Sequence, residues 1–305
     1  ADFAKMFPAV ASTVPSLSIG CLLGMTRIVG MECPGERSVF SSFEAKFSSV
    51  DGGENLIYEV SRWDERLNLA SIAVSGPGIS ASISALLRPL PVHQPETDAL
   101  RTHISGKPFS GQRALVVGGS RGLGETCARL LALGGASELC LTYSMGREDA
   151  EKVARSVSSY SKVSVTEYDV LAGTPPEGDF THIYYFAAPR LRPNRGAFSA
   201  VLYQLYSSYF VEGMAALFQA AVRKHPVRFM QPSSIFVEKP EAWFLEYTAA
   251  KAASENLAQQ LMTQHPSSMV LTPRFPRVTT DQTQNMPDCV PAADVLLPVL
   301  MQMSG

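Results

Sequence analysis

The sequence predicts an α/β protein built on a doubly wound parallel sheet, preceded by a smaller α+β domain. Three observations predict it. From Arg113 onward, strand-like and helix-like runs alternate, which argues for a parallel sheet covered by helices on both faces. A strand of buried character, Ala114-Leu115-Val116-Val117, runs directly into a Gly-x-x-x-Gly-x-Gly turn, Gly118 to Gly124. The apolar pattern then changes to helical spacing through Cys127, Leu130, Leu131 and Leu133. Residues before about 92 instead show one helical run followed by four strand-like ones.

Composition narrows the function classes. With 305 residues, 46% hydrophobic and 18% charged, the chain is a folded globular protein of one large or two ordinary domains. A formal net charge of −2 supplies no overall field for nucleic acid or an anionic membrane, so any anion site is local. The five cysteines, Cys21, Cys33, Cys127, Cys140 and Cys289, lack C-x-x-C spacing and mostly sit in apolar runs. They read as reduced core residues, with no metal site. No apolar run approaches the roughly 18 to 20 residues that span a bilayer, and no basic-then-apolar leader precedes the first helix. These features predict a cytoplasmic protein with neither membrane nor nucleic-acid partners.

In the first domain, Leu17 to Met31 places apolar residues at helical spacing with two glycines and almost no charge, predicting a central, enclosed helix. Strand-like runs follow at Ser38–Val50, Leu56–Trp63, Leu67–Ser75 and Ile79–Leu87, with turns at Asp51-Gly52-Gly53, Asp64-Glu65-Arg66 and Gly76-Pro77-Gly78. The expected arrangement is a helix followed by an antiparallel meander. This order, with LLGMTRIVGMECPG leading into SVFSSFEAKF and a closing ISASISALLRP run, resembles the hot-dog fold of MaoC-like hydratases and dehydratases over about 90 residues. The resemblance implies a curled sheet around one helix and an acyl thioester ligand. The Asp and His of that family precede a Phe-Ala pair, here matched by Phe3-Ala4, so both would fall before residue 1. The approach Met6 to Pro15 carries no His, Asp or Glu. A domain for assembly or substrate binding, paired as a homodimer through residues 38–89, is the expectation.

His93 to Gly111 is polar, bears Pro and Gly near its ends and lacks a period, which places a linker at 93–110 between a first domain of residues 1–92 and a second of 111–305. In the second domain strands are expected at 114–117, 138–143, 162–169, 183–187, 228–235 and 269–273. Helices are expected after the glycine turn to about 133, to about 160, at 199–224 and at 247–264.

Tyr247 and Lys251 stand four residues apart at a helix start and so share a face. Ser234 lies thirteen residues before Tyr247, where a strand ends, with Ser233 the alternative if the register shifts by one. The glycine turn, the spaced serine and Tyr-x-x-x-Lys together resemble the short-chain dehydrogenase/reductases, beta-ketoacyl-thioester reductases most closely, over residues 111 to about 303. The resemblance implies a Rossmann sheet and a catalytic set of Ser234, Tyr247 and Lys251. In it Tyr247 protonates a carbonyl as hydride arrives, Ser234 holds the same oxygen, and Lys251 favours the phenolate and holds the ribose. A free phenol has a pKa of about 10, so a neighbouring cation is what such chemistry needs.

The resemblance places the cofactor against Gly118, Ser120, Arg121, Gly122, Leu123 and Gly124, then Ser144 and Arg147, Asp169, Ala187 and Ala188, and Thr279. Where an NAD site usually carries an acid, the sequence reads Tyr143-Ser144-Met145-Gly146-Arg147. Arg121 and Arg147 suit a 2′-phosphate, which predicts NADPH. Asp169 is either an adenine contact or a turn cap. Three departures stand out: Ala187-Ala188-Pro189 replaces the family's Asn-Ala-Gly, Tyr209 or Phe210 replaces its helical Asn, and Pro273-Arg274 replaces Pro-Gly. The expected activity is reduction of a 3-oxoacyl thioester on coenzyme A or an acyl carrier protein. A dehydratase supported by the reductase domain, and a non-catalytic assembly module, are the alternatives. The run Arg190, Arg192 and Arg195 is expected to be either a phosphate-binding rim or a solvated loop.

Overall fold

The computed structural model describes residues 2–48, 55–284 and 286–304, with the backbone alone for residue 2. The expected turn at Asp51-Gly52-Gly53 lies outside the described residues. The chain divides into two compact units, Ala1–Leu90 and Pro91–Gly305.

In the first unit, two short helices, Asp2–Met6 and Pro8–Thr13, precede α1 (Ser16–Arg27), which continues as a π-helical turn to Glu32. Strands β1 (Ser38–Phe47), β2 (Ile57–Asp64), β3 (Leu69–Gly76) and β4 (Ile79–Leu87) form an antiparallel sheet in the order β1-β4-β3-β2. The simple meander is therefore corrected: β1 pairs with β4, from Ser38↔Leu87 to Phe47↔Ile79. Tight turns at 65–68 and 77–78 force β2, β3 and β4 into consecutive hairpins, whereas the longer connection after β1 imposes no such neighbour. Cys21, Met25, Ile28 and Val29 pack on Ile72, Val74, Ile79 and Ile83, so the helix covers the middle of the sheet. The edge strands β1 and β2 keep Phe43, Phe47, Val60 and Trp63 exposed.

The second unit alternates β5 (Arg113–Val117), α2 (Gly122–Leu133), β6 (Glu138–Tyr143), α3 (Arg147–Val157), β7 (Lys162–Glu167), β8 (His182–Tyr185), α4 (Ala200–Ser207), α5 (Met214–Val222) and β9 (Arg228–Met230). The two-residue β10 (Ser233–Ser234), α6 (Leu245–Gln264), β11 (Met269–Leu271), β12 (Arg274–Phe275) and α7 (Ala292–Gln302) complete it. Six strands form a parallel sheet in the order β11-β9-β8-β5-β6-β7, and β10 and β12 pair separately, also in parallel. Alternate residues of β5 feed opposite cores. Ala114 and Val116 join side chains of α2, α3 and α7, while Leu115 and Val117 join those of α5 and α6. Because both faces are covered, β5 reads as a continuous apolar run rather than an alternating one.

Residues 93–110 are not a free linker. Leu100 and Phe109 are fully buried in the second unit's core, and a 3₁₀ turn runs from Thr97 to His103. The buried Arg129 of α2 holds this arm, donating to Gln94 O at 3.3 Å and to the Pro95 carbonyl, and pairing with Glu96 at 3.1 Å and Glu125 at 2.8 Å. The arm instead supplies two backbone carbonyls and the Glu96 carboxylate as partners for a buried guanidinium. Among the described residues no helix is long and apolar enough to cross a membrane.

Candidate active site

The glycine turn sits at the C-terminal end of β5. Gly118 has φ +75°, and a Cβ there would lie 3.2 Å from the Phe186 carbonyl carbon, beyond the end of β8. At Gly124 a Cβ would lie 2.1 Å from the Gly118 carbonyl oxygen, so only glycine lets α2 start this close to the strand. Thr142 of β6 takes the Gly118 and Gly119 N–H groups, at 3.2 and 2.9 Å. Among the described residues the N-cap Arg121 makes no capping bond to α2, and the Gly122 N–H at its start goes to the Glu125 carboxylate. Ser120 is buried, and Leu123 packs partly on the core. Arg121 pairs with Asp149 of α3 at 3.2 Å and with Asp281 at 3.9 Å, so one cation and two carboxylates meet beside the turn.

The other expected cofactor residues are distributed around this edge of the sheet. Ser144 is exposed just after β6. Arg147 is turned along its own helix to Glu151 at 2.8 Å, while the Arg121 guanidinium lies against Gly146, the residue before it. Asp169 follows β7 and accepts from Leu171 N at 2.9 Å, which makes it a turn cap. Ala187 and Ala188 follow β8, the first half-buried and the second exposed. Thr279 is held through its backbone, donating to Val290 O at 3.0 Å and accepting from Gln94 Nε2 at 2.9 Å.

Ser234, Tyr247 and Lys251 converge at the same edge. Of the two serines, Ser233 is turned away and donates to Glu255 Oε1 at 2.5 Å. The Ser234 Oγ accepts from Phe236 N at 3.2 Å, and its side chain adjoins the Tyr247 phenol. Burial pushes that phenol up to about 12, against the opposing hydrogen bond of Ser234. Tyr206, Phe210 and Phe236 surround the Tyr247 ring edge-on, with centroids at 5.7, 5.7 and 6.3 Å. Lys251 is buried, and its ammonium donates to Pro232 O at 2.5 Å. The same Nζ lies 3.7 Å from the Phe210 ring centroid and 5.9 Å from that of Tyr247. Burial lowers its pKa to about 7, with Glu255 opposing the shift.

No protein-family model matches the chain, and no curated protein matches it. Solved structures do match. A short-chain dehydrogenase from Burkholderia cenocepacia in complex with NADP aligns with a TM-score of 0.56 at 20% identity, covering 64% of this chain and 91% of that one. A 3-oxoacyl (acyl-carrier-protein) reductase from Agrobacterium tumefaciens with NADP bound aligns with 0.51 at 21% identity, covering 58% and 74%. Acetoin dehydrogenase YohF from Salmonella typhimurium aligns with 0.54 at 17% identity, covering 63% and 89%. The chain shares with these proteins a Rossmann-type fold of parallel sheet and covering helices. At these identities the likeness is one of fold, and it leaves the substrate open.

Within that fold, the helix expected over 199–224 is interrupted. A π-helical segment, Ser208–Gly213, separates α4 from α5. The Phe210 ring faces the Lys251 ammonium, while the Phe210 carbonyl accepts from Gln231 Nε2 at 3.1 Å and the Tyr209 carbonyl from Tyr185 Oη at 2.7 Å. The residues that sequence reasoning missed are Asp149, Glu246, Glu255 and Arg274. Glu246, buried at the start of α6, accepts from Asn194 Nδ2 at 2.6 Å and Ser199 N at 2.7 Å, which ties the loop 189–199 to the site. Burial raises its pKa, but the bonds from Ser199 N, Asn194 and its own backbone N–H together outweigh burial and hold it below the usual carboxylate range. A carboxylate beside the Tyr at a helix start was the available signal.

Proposed function

We propose that the second unit is an NADPH-dependent reductase of a 3-oxoacyl thioester carried on coenzyme A or a carrier protein, and that the first unit serves assembly or substrate binding. One observation carries the reading: the Ser234 hydroxyl adjoins the Tyr247 phenol, with Lys251 one helical turn on, at the sheet edge that holds the glycine turn. The side-chain-free approach at Gly118 and Gly124, the start of α2 beside them and the Arg121 guanidinium fit a dinucleotide phosphate. NADPH, when bound, supplies the hydride.

The chain's own residues handle the oxygen. The Ser234 Oγ accepts from Phe236 N and is hydrogen-bonded to the Tyr247 phenol, so a carbonyl oxygen placed between the two hydroxyls would receive the Ser234 hydrogen in the phenol's stead. A phenol held near 12 stays protonated through neutral pH and so is a ready donor of the proton that oxygen needs. Lys251 in its charged form stabilises the phenolate left behind. Phe198, Trp243 and Leu245 are exposed near the loop 189–199, which suits an acyl chain. Arg190 and Arg192 project from the same loop, and Arg195 lies over the Trp243 ring at 4.3 Å, which suits the phosphates of its carrier arm.

The test is cofactor fluorescence on adding NADPH, followed by NADPH oxidation with a 3-oxoacyl thioester. Binding with turnover supports the reading, and absence of both rejects it. Binding without turnover would favour the assembly module, to which the apolar Phe210 beside Lys251 lends support.

A further inference from the structure

Behind the Ser234, Tyr247 and Lys251 set lies an ion pair. Glu255 stands one turn beyond Lys251 on α6, and its carboxylate is gripped by Arg274 through Nε at 3.0 Å and Nη2 at 2.7 Å. Glu255 Oε1 also accepts from the Ser233 hydroxyl at 2.5 Å. The strand pairing brings the same parts together: Ser233 opposes Arg274 and Ser234 opposes Phe275. Ser233 N donates to Pro273 O at 2.8 Å. The carboxylate therefore fastens Ser233, which stands between Pro232, whose carbonyl receives Lys251, and Ser234, beside Tyr247.

We propose that Glu255, fixed by Arg274, is a positioning residue that sets the Pro232–Ser234 segment against α6 and so fixes the Ser234 hydroxyl at Tyr247 and the Lys251 ammonium at Pro232. The inference rests on the reductase reading. Three features distinguish the arrangement from a surface pair. The contact is a two-point fork that defines an orientation, the Glu255 side chain is only 15% exposed, and its third hydrogen bond reaches the candidate catalytic segment. The carboxylate also acts on Lys251 through space and opposes the effect of burial on the ammonium. Among the described residues, the titratable groups of the aromatic cluster that includes Phe210 are Tyr203, Tyr206, Tyr209 and Tyr247, and Glu238 lies 3.9 Å from Arg274.

The experiment compares Glu255→Ala, Glu255→Gln and Glu255→Asp in the full chain. It measures kcat and KM for NADPH-dependent reduction of a 3-oxoacyl thioester across pH, and the titration of the Lys251 side chain by NMR without cofactor or substrate. Glu255→Gln keeps the size and one acceptor oxygen, so it reports on charge even if Glu255→Ala folds poorly. Glu255→Ala is expected to lower kcat by about tenfold or more with little change in KM. Without the anion the Lys251 cation is less favoured, so in Glu255→Gln its titration, and the alkaline limb of kcat, move to lower pH. Glu255→Asp restores part of both. Variants that lose thermal stability while the Lys251 titration and the kcat profile stay at wild-type positions would overturn the proposal. A wild-type protein inert toward every carbonyl offered would overturn the reductase reading instead, and the Lys251 titration would then decide the positioning role without turnover.

Discussion

The Lys251 ammonium rests 3.7 Å from the centroid of the Phe210 ring, closed off on that side by an apolar face. Its burial sets a pH dependence of stability. The folded-state pKa, about 7, lies below the ordinary 10.5, so between those values the unfolded chain binds the additional proton. Stability therefore rises with pH through that window, and the full penalty of burying the cation is present below pH 7. Lys251→Met is expected to be more stable than wild type at pH 6 by on the order of a few kcal/mol, with a smaller gain at pH 9. Denaturant midpoints at the two pH values check this. An equal gain at both would show that the ammonium is not desolvated.

Tyr247→Phe is expected to leave NADPH binding nearly intact, because the ring still packs among Tyr206, Phe210 and Phe236. Turnover should fall by about a hundredfold or more, the scale of a lost general acid. Single-turnover reduction of a 3-oxoacyl thioester is the measurement, and a rate near wild type would rule out the phenol as donor.

Both arginines are paired with carboxylates, Arg121 with Asp149 and Asp281 and Arg147 with Glu151, but Arg121 is the one within the glycine turn itself. Arg121→Ala should weaken NADPH about ten- to hundredfold, the worth of one charge-assisted contact, and leave NADH nearly unchanged. Arg147→Ala should have the smaller effect. Fluorescence titration of both variants with both cofactors checks the order, and equal wild-type affinity for the two cofactors would refute a 2′-phosphate contact.

The exposed Arg190 and Arg192 are expected to meet the phosphates of a carrier arm. Reversing both charges to Glu should raise KM for a coenzyme A thioester about tenfold but leave a short thioester without phosphates unaffected. No change in KM, together with a salt-insensitive native protein, would identify these arginines as solvated.

The edge strands β1 and β2 carry Phe43 and Trp63 exposed, and a second copy is the proposed cover. The full chain should have twice the monomer mass in solution, and Phe43→Glu combined with Trp63→Glu should yield monomers. A strictly monomeric native chain would eliminate the homodimer.

Features governed by local rules were legible in the amino-acid order. The fully apolar run of β5, the glycines that α2 and its turn require, and the placement of Tyr247 and Lys251 on one helix face all follow from backbone sterics and residue spacing. Features that depend on packing between distant segments were not. A π-helical turn changes the phase of a helix by one residue, which is why Phe210 and Tyr209 could not be told apart before Phe210 was seen beside Lys251. The arm 93–110 looked like a linker because its polar residues give no sign that a buried arginine on α2 will bind them. Glu255 and Arg274 are nineteen residues apart, with no spacing rule to join them. They meet because the parallel pairing of β10 with β12 lays Arg274 beside Ser233, and α6 brings Glu255 to that same serine, a juxtaposition that belongs to the folded sheet and helix rather than to either segment.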